Sequence, residues 1–340
     1  GIFFYLGLFL VSIFSYQLMP DNTKMANSIN LSIAKKKPGF TQLFVLQKKQ
    51  LLPVKQSRFE KFFFGTNPTH KKIAINNIRI EENFIICSMY PHSTIEKIPI
   101  SNLYVNKVGS YTESKLFILG TDMYGRDLLS RIILGTRISF SVGFIAVLIS
   151  ILVGLPLGMI AGYYGGRVDS FICWVINVVW SIPTLLLVIA ISIILGKGFW
   201  QVFIAVGLTM WVEVARVSRG EVLKISQLPY IELVKSFGLS DFKIIYKHIL
   251  PNIINPIIII SAANFATSVL LESGLSFLGI GVQPPVPSWG MIIRNHYGFI
   301  IMDKAYLSFW PGICIVLLVL SFILLGNALR DALDTKLENN

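Results

Sequence analysis

"ISFSVGFIAVLISILVGLPLGMIAGYY" runs from Ile138 to Tyr164 without a charged side chain. A helix needs roughly 20 apolar residues to cross the hydrocarbon core of a bilayer. This stretch exceeds that length, and it is not alone in the chain. The 340 residues are 54% hydrophobic and only 14% charged, where a soluble domain carries about 25% charged residues. Mean hydropathy is +0.66. A membrane barrel shows short alternating segments. Continuous runs like this one instead predict an all-α, polytopic membrane protein.

Working outward, six spans are expected: Ile2–Leu18, Ile138–Tyr164, Ser170–Leu195, Phe199–Val214, Ile253–Phe277 and Ser308–Leu325. The chain opens directly in an apolar run, "GIFFYLGLFLVSIFSYQLMP". That run lacks the basic start and small-residue cleavage site of a signal peptide, and it is read as a first span, truncated at its start. Pro183 predicts a kink in the third span. "GLPLG" (154–158) and "AGYYGG" (161–166) supply small residues for close helix approach.

Short loops carrying Lys and Arg mark the cytoplasmic side. Arg167, then Arg216, Arg219, Lys224, Lys235, Lys243 and Lys247, then Arg330 and Lys336 fall on one side. Lys197, Arg294 and Lys304 fall on the other. Both ends are therefore expected inside. The net charge of +12 belongs to such loops and does not point to nucleic acid. The three cysteines, Cys87, Cys173 and Cys314, have no metal-ligand spacing.

Between the first two spans lies a long hydrophilic region. Loops beyond about 60 residues translocate largely regardless of charge, so its lysines do not keep it inside. "KIAINNIRI" (72–80) alternates with period two, and "NFIICSMY" (83–90) and "KLFIL" (115–119) are short and strand-like. A small folded extracytoplasmic α/β or β-containing insertion is expected. The organisation is then 1–19 first span, 20–118 insertion, 119–334 core with five spans, and 335–340 tail.

A polar stretch interrupts this pattern between spans four and five: "YIELVKSFGLSDFKIIYKHILPN" (230–252). Pro229 suits a first helical position and Glu232 its first turn. Gly238 suits a left-handed stop, and Ser240 the cap of a second helix with Asp241 in its first turn. Ile231, Val234 and Phe237 fall near one face of the first helix, and Phe242, Ile245 and Ile249 on one face of the second. Pro251 is expected to end the second helix before span five. Two short amphipathic helices joined at a glycine bend result.

This stretch resembles the cytoplasmic loop of ABC importer permeases, which carries Glu-Ala-Ala, then a glycine, then Leu-Pro. Glu232, Leu233 and Val234 match the first three positions, with larger residues for both alanines. Gly238, Leu250 and Pro251 match the rest. His248-Ile249-Leu250-Pro251-Asn252 is the form seen in the oligopeptide/dipeptide/nickel branch. "LGTDMYGRDLLSRIILGTRISFSVG" (119–143), "AGYYGGRVDS" (161–170), "LLESGLSFLGIGVQPPVPSWG" (270–290) and "GNALRDALD" (326–334) resemble the same branch in order. Departures are Asn177, where many relatives have Asp, Glu213, where relatives often have small or aromatic residues, and the long insertion.

The resemblance implies a type I ABC importer permease fold and one subunit of a peptide importer. The implied partners are a second homologous permease, two cytoplasmic ATPases docked on the loop within 216–251, and an extracytoplasmic substrate-binding protein. ATP would be bound by the partner subunits, and no cofactor or metal is expected in this chain, which has no G-x-x-x-x-G-K-[ST] run. Import of nickel or another small solute by the same family is the alternative, with a secondary transporter behind it. Glu272 is read as a structural contact within the membrane. Glu213 is read as a partner of Arg216 or Arg219, and Asp122, Arg126 and Asp127 as a structural turn at the outer surface.

Overall fold

The apolar runs become helices, and two of them differ from expectation. The computed structural model describes residues 2–49, 56–106, 109–196 and 198–334. In chain order its helices are α1 (Ile2–Ile13), α2 (Ser15–Leu18), α3 (Arg58–Phe64), α4 (Leu128–Tyr164), α5 (Gly166–Trp180), α6 (Thr184–Leu195), α7 (Phe199–Ser226), α8 (Pro229–Ser236), α9 (Asp241–Ile244), α10 (Leu250–Leu278), α11 (Trp289–His296) and α12 (Tyr306–Asp334). Among the described residues, four helices are long and apolar enough to cross a membrane, or five if a bent pair forms one span. The sequence predicts six. The first run forms only the 12 residues of α1 and, after Phe14, the single turn of α2. The third span is broken rather than kinked: α5 and α6 meet at 89°. Pro183, which has no N–H to donate, stands immediately before α6.

The chain divides into two compact units. A helical unit comprises Gly1–Phe9, Ser139–Gln283 and Ile313–Asn340, and a sheet unit comprises Leu10–Ile138 and Pro284–Gly312.

In the helical unit α7 is the central element. Gly154, Gly158 and Gly162 recur every four residues along α4. A Cβ at these positions would collide with the backbone carbonyls of Trp211, Ala215 and Arg219, which recur every four residues along α7. The two backbones touch because no side chain separates them, as the small residues predict. Above this contact, Val142 and Ala146 of α4 join Val188 of α6, Val202, Phe203, Val206 and Met210 of α7 and Leu275 of α10 in one apolar cluster. Below it, the Arg219 guanidinium donates to both Asp169 oxygens, at 2.5 and 2.6 Å. That fork ties α5 to α7 with the planar geometry arginine provides.

The sheet unit contains the expected β structure. Strands β1 (Phe40–Lys48), β2 (His70–Ile80), β3 (Phe84–Met89), β4 (Ile95–Pro99) and β5 (Thr112–Phe117) form one sheet in the order β4-β3-β2-β1-β5. All its pairings are antiparallel. Adjacent strand residues point to opposite faces. Val45 and Ile75 therefore pack with Ile85, Cys87, Ile98 and Leu103, while Phe44 and Ala74 pack with Ile33 and Phe117.

The turn at Gly120–Asp127 clamps the segment before β1. Asp122 N–H donates to the Arg126 carbonyl at 2.9 Å and closes the turn. The Thr121 hydroxyl donates to the Ile33 carbonyl at 2.5 Å and accepts from Lys36 N–H at 2.9 Å. Gly125, at φ +71°, lies against the Asn30 carbonyl, where a Cβ has no room. The turn is expected at the surface, but Asp122, Arg126 and Asp127 are buried. One Asp122 carboxylate accepts from Tyr124 N–H, Arg126 N–H and Arg126 Nε. These bonds compensate the desolvation of a buried charge. The PSWG end of the 270–290 motif reaches the same unit: the Trp289 indole donates to the Ile132 carbonyl at 3.0 Å, beside Gly135.

His296 closes this network. Its Nε2 accepts from Met123 N–H at 3.2 Å, and its Nδ1 faces the Ile292 carbonyl at 2.7 Å. These partners assign the neutral ring with the proton on Nδ1. Burial holds its pKa below the ordinary histidine value.

Two predictions follow from this packing. Gly158→Ala lowers the unfolding free energy of the detergent-purified chain by about 1–3 kcal/mol, and Gly158→Leu prevents accumulation of folded chain. Gly220→Ala, where a Cβ meets nothing, is the silent control in thermal unfolding. For His296 the unfolded ring binds a proton more readily than the folded one, so its contribution is complete above about pH 6.5 and is lost on acidification below it. The thermal midpoint falls between pH 7.5 and 5, and His296→Gln flattens that fall.

Candidate functional site

The polar stretch folds largely as its residues dictate. Pro229 is the first residue of α8 and Glu232 lies in its first turn. Gly238 takes φ +75°, with open space where a Cβ would point. Ser240 precedes α9 in extended conformation but its side chain accepts no capping N–H, and Asp241 occupies the first turn. The expected stop at Pro251 is absent. From α9 the chain passes through a wide π-type turn, Ile245–Ile249, directly into α10, whose first turn holds Leu250 and Pro251. Proline is accepted there because the first-turn N–H groups have no partner within the helix. Residues Asp241–Leu278 thus form one continuous apolar helix of 38 residues.

One face of the bent pair is built into the helical unit. Ile231, Ile244 and Ile249 are buried with Val222 at the end of α7 and Ile253 at the start of α10. Leu155, Met159 and Tyr163 of α4 pack against them, as do Val234 and Leu250. The Tyr163 hydroxyl donates to Asp241 Oδ1 at 2.8 Å. The Lys235 ammonium lies 4.6 Å from the centre of the Tyr163 ring, within range of a cation–π attraction.

The other face is apolar and uncovered. Phe237 is 73% exposed and Phe242 76% exposed, with Leu233 and Tyr246 more than half exposed. Phe242 and Tyr246 lie parallel, their ring centres 6.1 Å apart. The sequence groups Phe237 with Ile231 and Val234, and Phe242 with Ile245 and Ile249, but the structure splits both sets: Ile231, Ile244 and Ile249 are buried and the two phenylalanines are exposed. Glu232 is exposed beside this face, and Pro251 is exposed. Sequence reasoning assigns Glu232, Leu233, Val234, Gly238, Leu250 and Pro251. It misses Tyr163 and Asp241 as anchors, and Phe242 and Tyr246 as surface. The spacing of four between Phe242 and Tyr246 is the signal that marks one helical face.

A second cluster lies at the exit of α10. Glu272 is buried and accepts from the Ser276 hydroxyl at 2.6 Å. Ser276 Oγ in turn accepts from Val282 N–H at 3.2 Å. Gly279 turns the chain at φ +85°, and Gly281 sits against Ser276 without room for a Cβ. The motif therefore folds the exit loop back on its own helix. Among the described residues no three His, Cys, Asp or Glu side chains gather as a metal site.

The family model for the binding-protein-dependent transport system inner membrane component matches residues 154–339. The chain belongs to this family. The permease is 40% identical over 221 residues to the glutathione transport system permease protein GsiD of Pectobacterium atrosepticum, covering 65% of this chain and 73% of that one. It is 40% identical over 218 residues to the dipeptide transport system permease protein DppC of Bacillus subtilis, covering 64% and 68%. With DppC of Alkalihalophilus pseudofirmus it shares 34% identity over 268 residues, 79% of this chain and 87% of that one. Among solved structures, the inward-facing MetNI methionine ABC transporter is similar at a TM-score of 0.50 and 18% identity, over 60% of this chain and 97% of that one. That likeness supports the type I importer permease fold.

In this permease Ser276→Ala removes a buried donor from Glu272 and an acceptor from Val282 N–H. It lowers stability by about 1–3 kcal/mol, read by thermal unfolding. Glu272→Gln lowers the yield of assembled complex more than it changes which solutes are carried, read by co-purification alongside uptake.

Proposed function

We propose that this chain is the membrane-spanning subunit of an ATP-driven peptide importer. It forms half of the translocation pathway with a second, homologous permease. Two cytoplasmic ATPases dock on the exposed face of α8 and α9, and a substrate-binding protein delivers cargo to the opposite side. The Lys and Arg bias of the loops supports both termini and the α8–α9 segment being cytoplasmic, with residues 20–118 outside. The chain itself hydrolyses nothing; ATP is bound by the partners.

The observation that carries this reading is the two-faced bent pair. One face is locked by Ile231, Ile244 and Ile249 to α4, α7 and α10, and the other presents Leu233, Phe237, Phe242 and Tyr246 with no cover. Large uncovered apolar side chains grouped on one face mark a contact site. Because α9 runs without a stop into α10, displacement of a docked partner moves a span. This is rigid-body switching driven by nucleotide in the partner. The dipeptide and glutathione permeases among the relatives support peptides as cargo over nickel.

The test is reconstitution of the chain with its partner permease, ATPases and binding protein, measuring ATPase co-purification and uptake of a labelled peptide. Phe242→Asp and Gly238→Val are expected to leave membrane levels of the chain normal, weaken ATPase co-purification and abolish uptake. Unchanged docking and uptake in both variants would reduce the face to a surface helix. Uptake that survives ATP depletion and needs only an ion gradient would make the protein a secondary transporter.

A further inference from the structure

Glu213 stands in the apolar helix that the rest of the helical unit packs around, and among the described residues it has no polar partner. Sequence reasoning pairs it with Arg216 or Arg219. Both are engaged elsewhere: Arg219 is forked onto Asp169, and the Arg216 guanidinium lies 3.7 Å from the centre of the Trp180 ring. Glu213 makes no hydrogen bond or ion pair among the described residues, and it is exposed where its neighbours Val212 and Val214 are buried. An ionisable side chain within a span is costly to keep, and in membrane proteins such groups mark pathways for solutes or ions.

The surroundings of Glu213 give the carboxylate a direction. Thr209, Glu213, Arg216 and Gly220 follow at intervals of four, three and four, which places them on one face of α7. That face meets the broken third span. A pocket of about 80 Å³ there is lined by Glu213 and Thr209 of α7, Trp180 and Thr184 on either side of the break, and Thr267 of α10. A water molecule occupies about 30 Å³ of the liquid, so an ammonium group fits. Thr209 and Thr267 already donate to backbone carbonyls of their own helices, at 2.8 and 3.1 Å. Their hydroxyl oxygens remain as acceptors, and acceptors around a carboxylate suit a cation that brings only donors.

We propose that Glu213 receives a positively charged group of the cargo, its terminal or lysyl ammonium, beside the break between α5 and α6. The assignment rests on the peptide reading above. It makes Glu213 a specificity-determining residue for cationic over anionic peptides. Arg216, held against Trp180 one turn further along, keeps from neutralising the carboxylate in the empty site.

The test compares two labelled peptides, Ala-Lys-Ala and Ala-Glu-Ala, in proteoliposomes holding the complete complex and one binding protein. The same binding protein serves wild type and variant, so its preference cancels when the uptake ratio of the two peptides is compared between them. Glu213→Gln is expected to lower that ratio about tenfold, the scale of one charge-assisted hydrogen bond, with complex yield unchanged. Glu213→Asp restores part of the ratio. An unchanged ratio overturns the assignment. A fall in complex yield with an unchanged ratio also overturns it, and makes Glu213 a contact to the partner permease instead. If the wild-type complex imports neither peptide, the peptide reading fails, and the assignment fails with it.

Discussion

The helical unit depends on two backbones that touch. Three glycines on α4 and three carbonyls on α7, each set spaced by four, remove the layer of side chains that ordinarily keeps helices about 8–10 Å apart. With no bulk between them, α7 stays at the centre, and its remaining faces are free for α6 and α10. Lipid offers no hydrophobic drive for helices to associate, so contact of this kind and interhelical polar pairs carry the packing. Arg219 supplies both: its carbonyl meets Gly162 and its guanidinium holds Asp169.

The same division of labour appears at the bent pair. Short isolated helices are marginal in water, and α8 and α9 would not hold their shape alone. Ile231 and Ile244 fasten them to the ends of α4, α7 and α10, with the Tyr163–Asp241 hydrogen bond as a polar pin. The face left over can therefore be apolar and rigid at once, as suits the partner proposed for it. In the sheet unit the Asp122 turn plays the fastening part. A buried carboxylate satisfied by two backbone N–H groups and an arginine holds the segment before β1 in register.

Much of this was legible in the residues. Pro229, Gly238 and Asp241 carry conformational preferences strong enough to place the bend, and the glycines at 154, 158 and 162 announce a close helix contact. The period of β2 announces a strand. What was not legible depends on neighbours distant in sequence. Phe237 and Phe242 lie at helical spacing with their apolar neighbours, yet it is Ile231, Ile244 and Ile249 that meet the ends of α4, α7 and α10, a choice made by helices distant in sequence. Glu213 lies nearest in sequence to Arg216 and Arg219, but Asp169 and Trp180 engage both arginines from another helix. Pro251 reads as a terminator, although at a first helical position it is no obstacle. Pro183 signals a kink, but not a full break at 89°, since that angle is set by what α5 and α6 each pack upon.

The π-type turn at Ile245–Ile249 has a geometric consequence. Ile244 and Ile249 are both buried in one cluster although they are five residues apart. In a regular α-helix that spacing would leave them about 140° apart around the axis. Bonding from residue i to i+5 brings such positions back into line. The turn is a phase adjuster: it absorbs one extra residue so that α9 and α10 bury the same side while keeping Phe242 and Tyr246 outward. The segment is thus sensitive to length more than to composition. Insertion of one further residue here, with nothing to absorb it, would rotate α9 by about 100°, carrying the aromatic pair away from any partner that reads it.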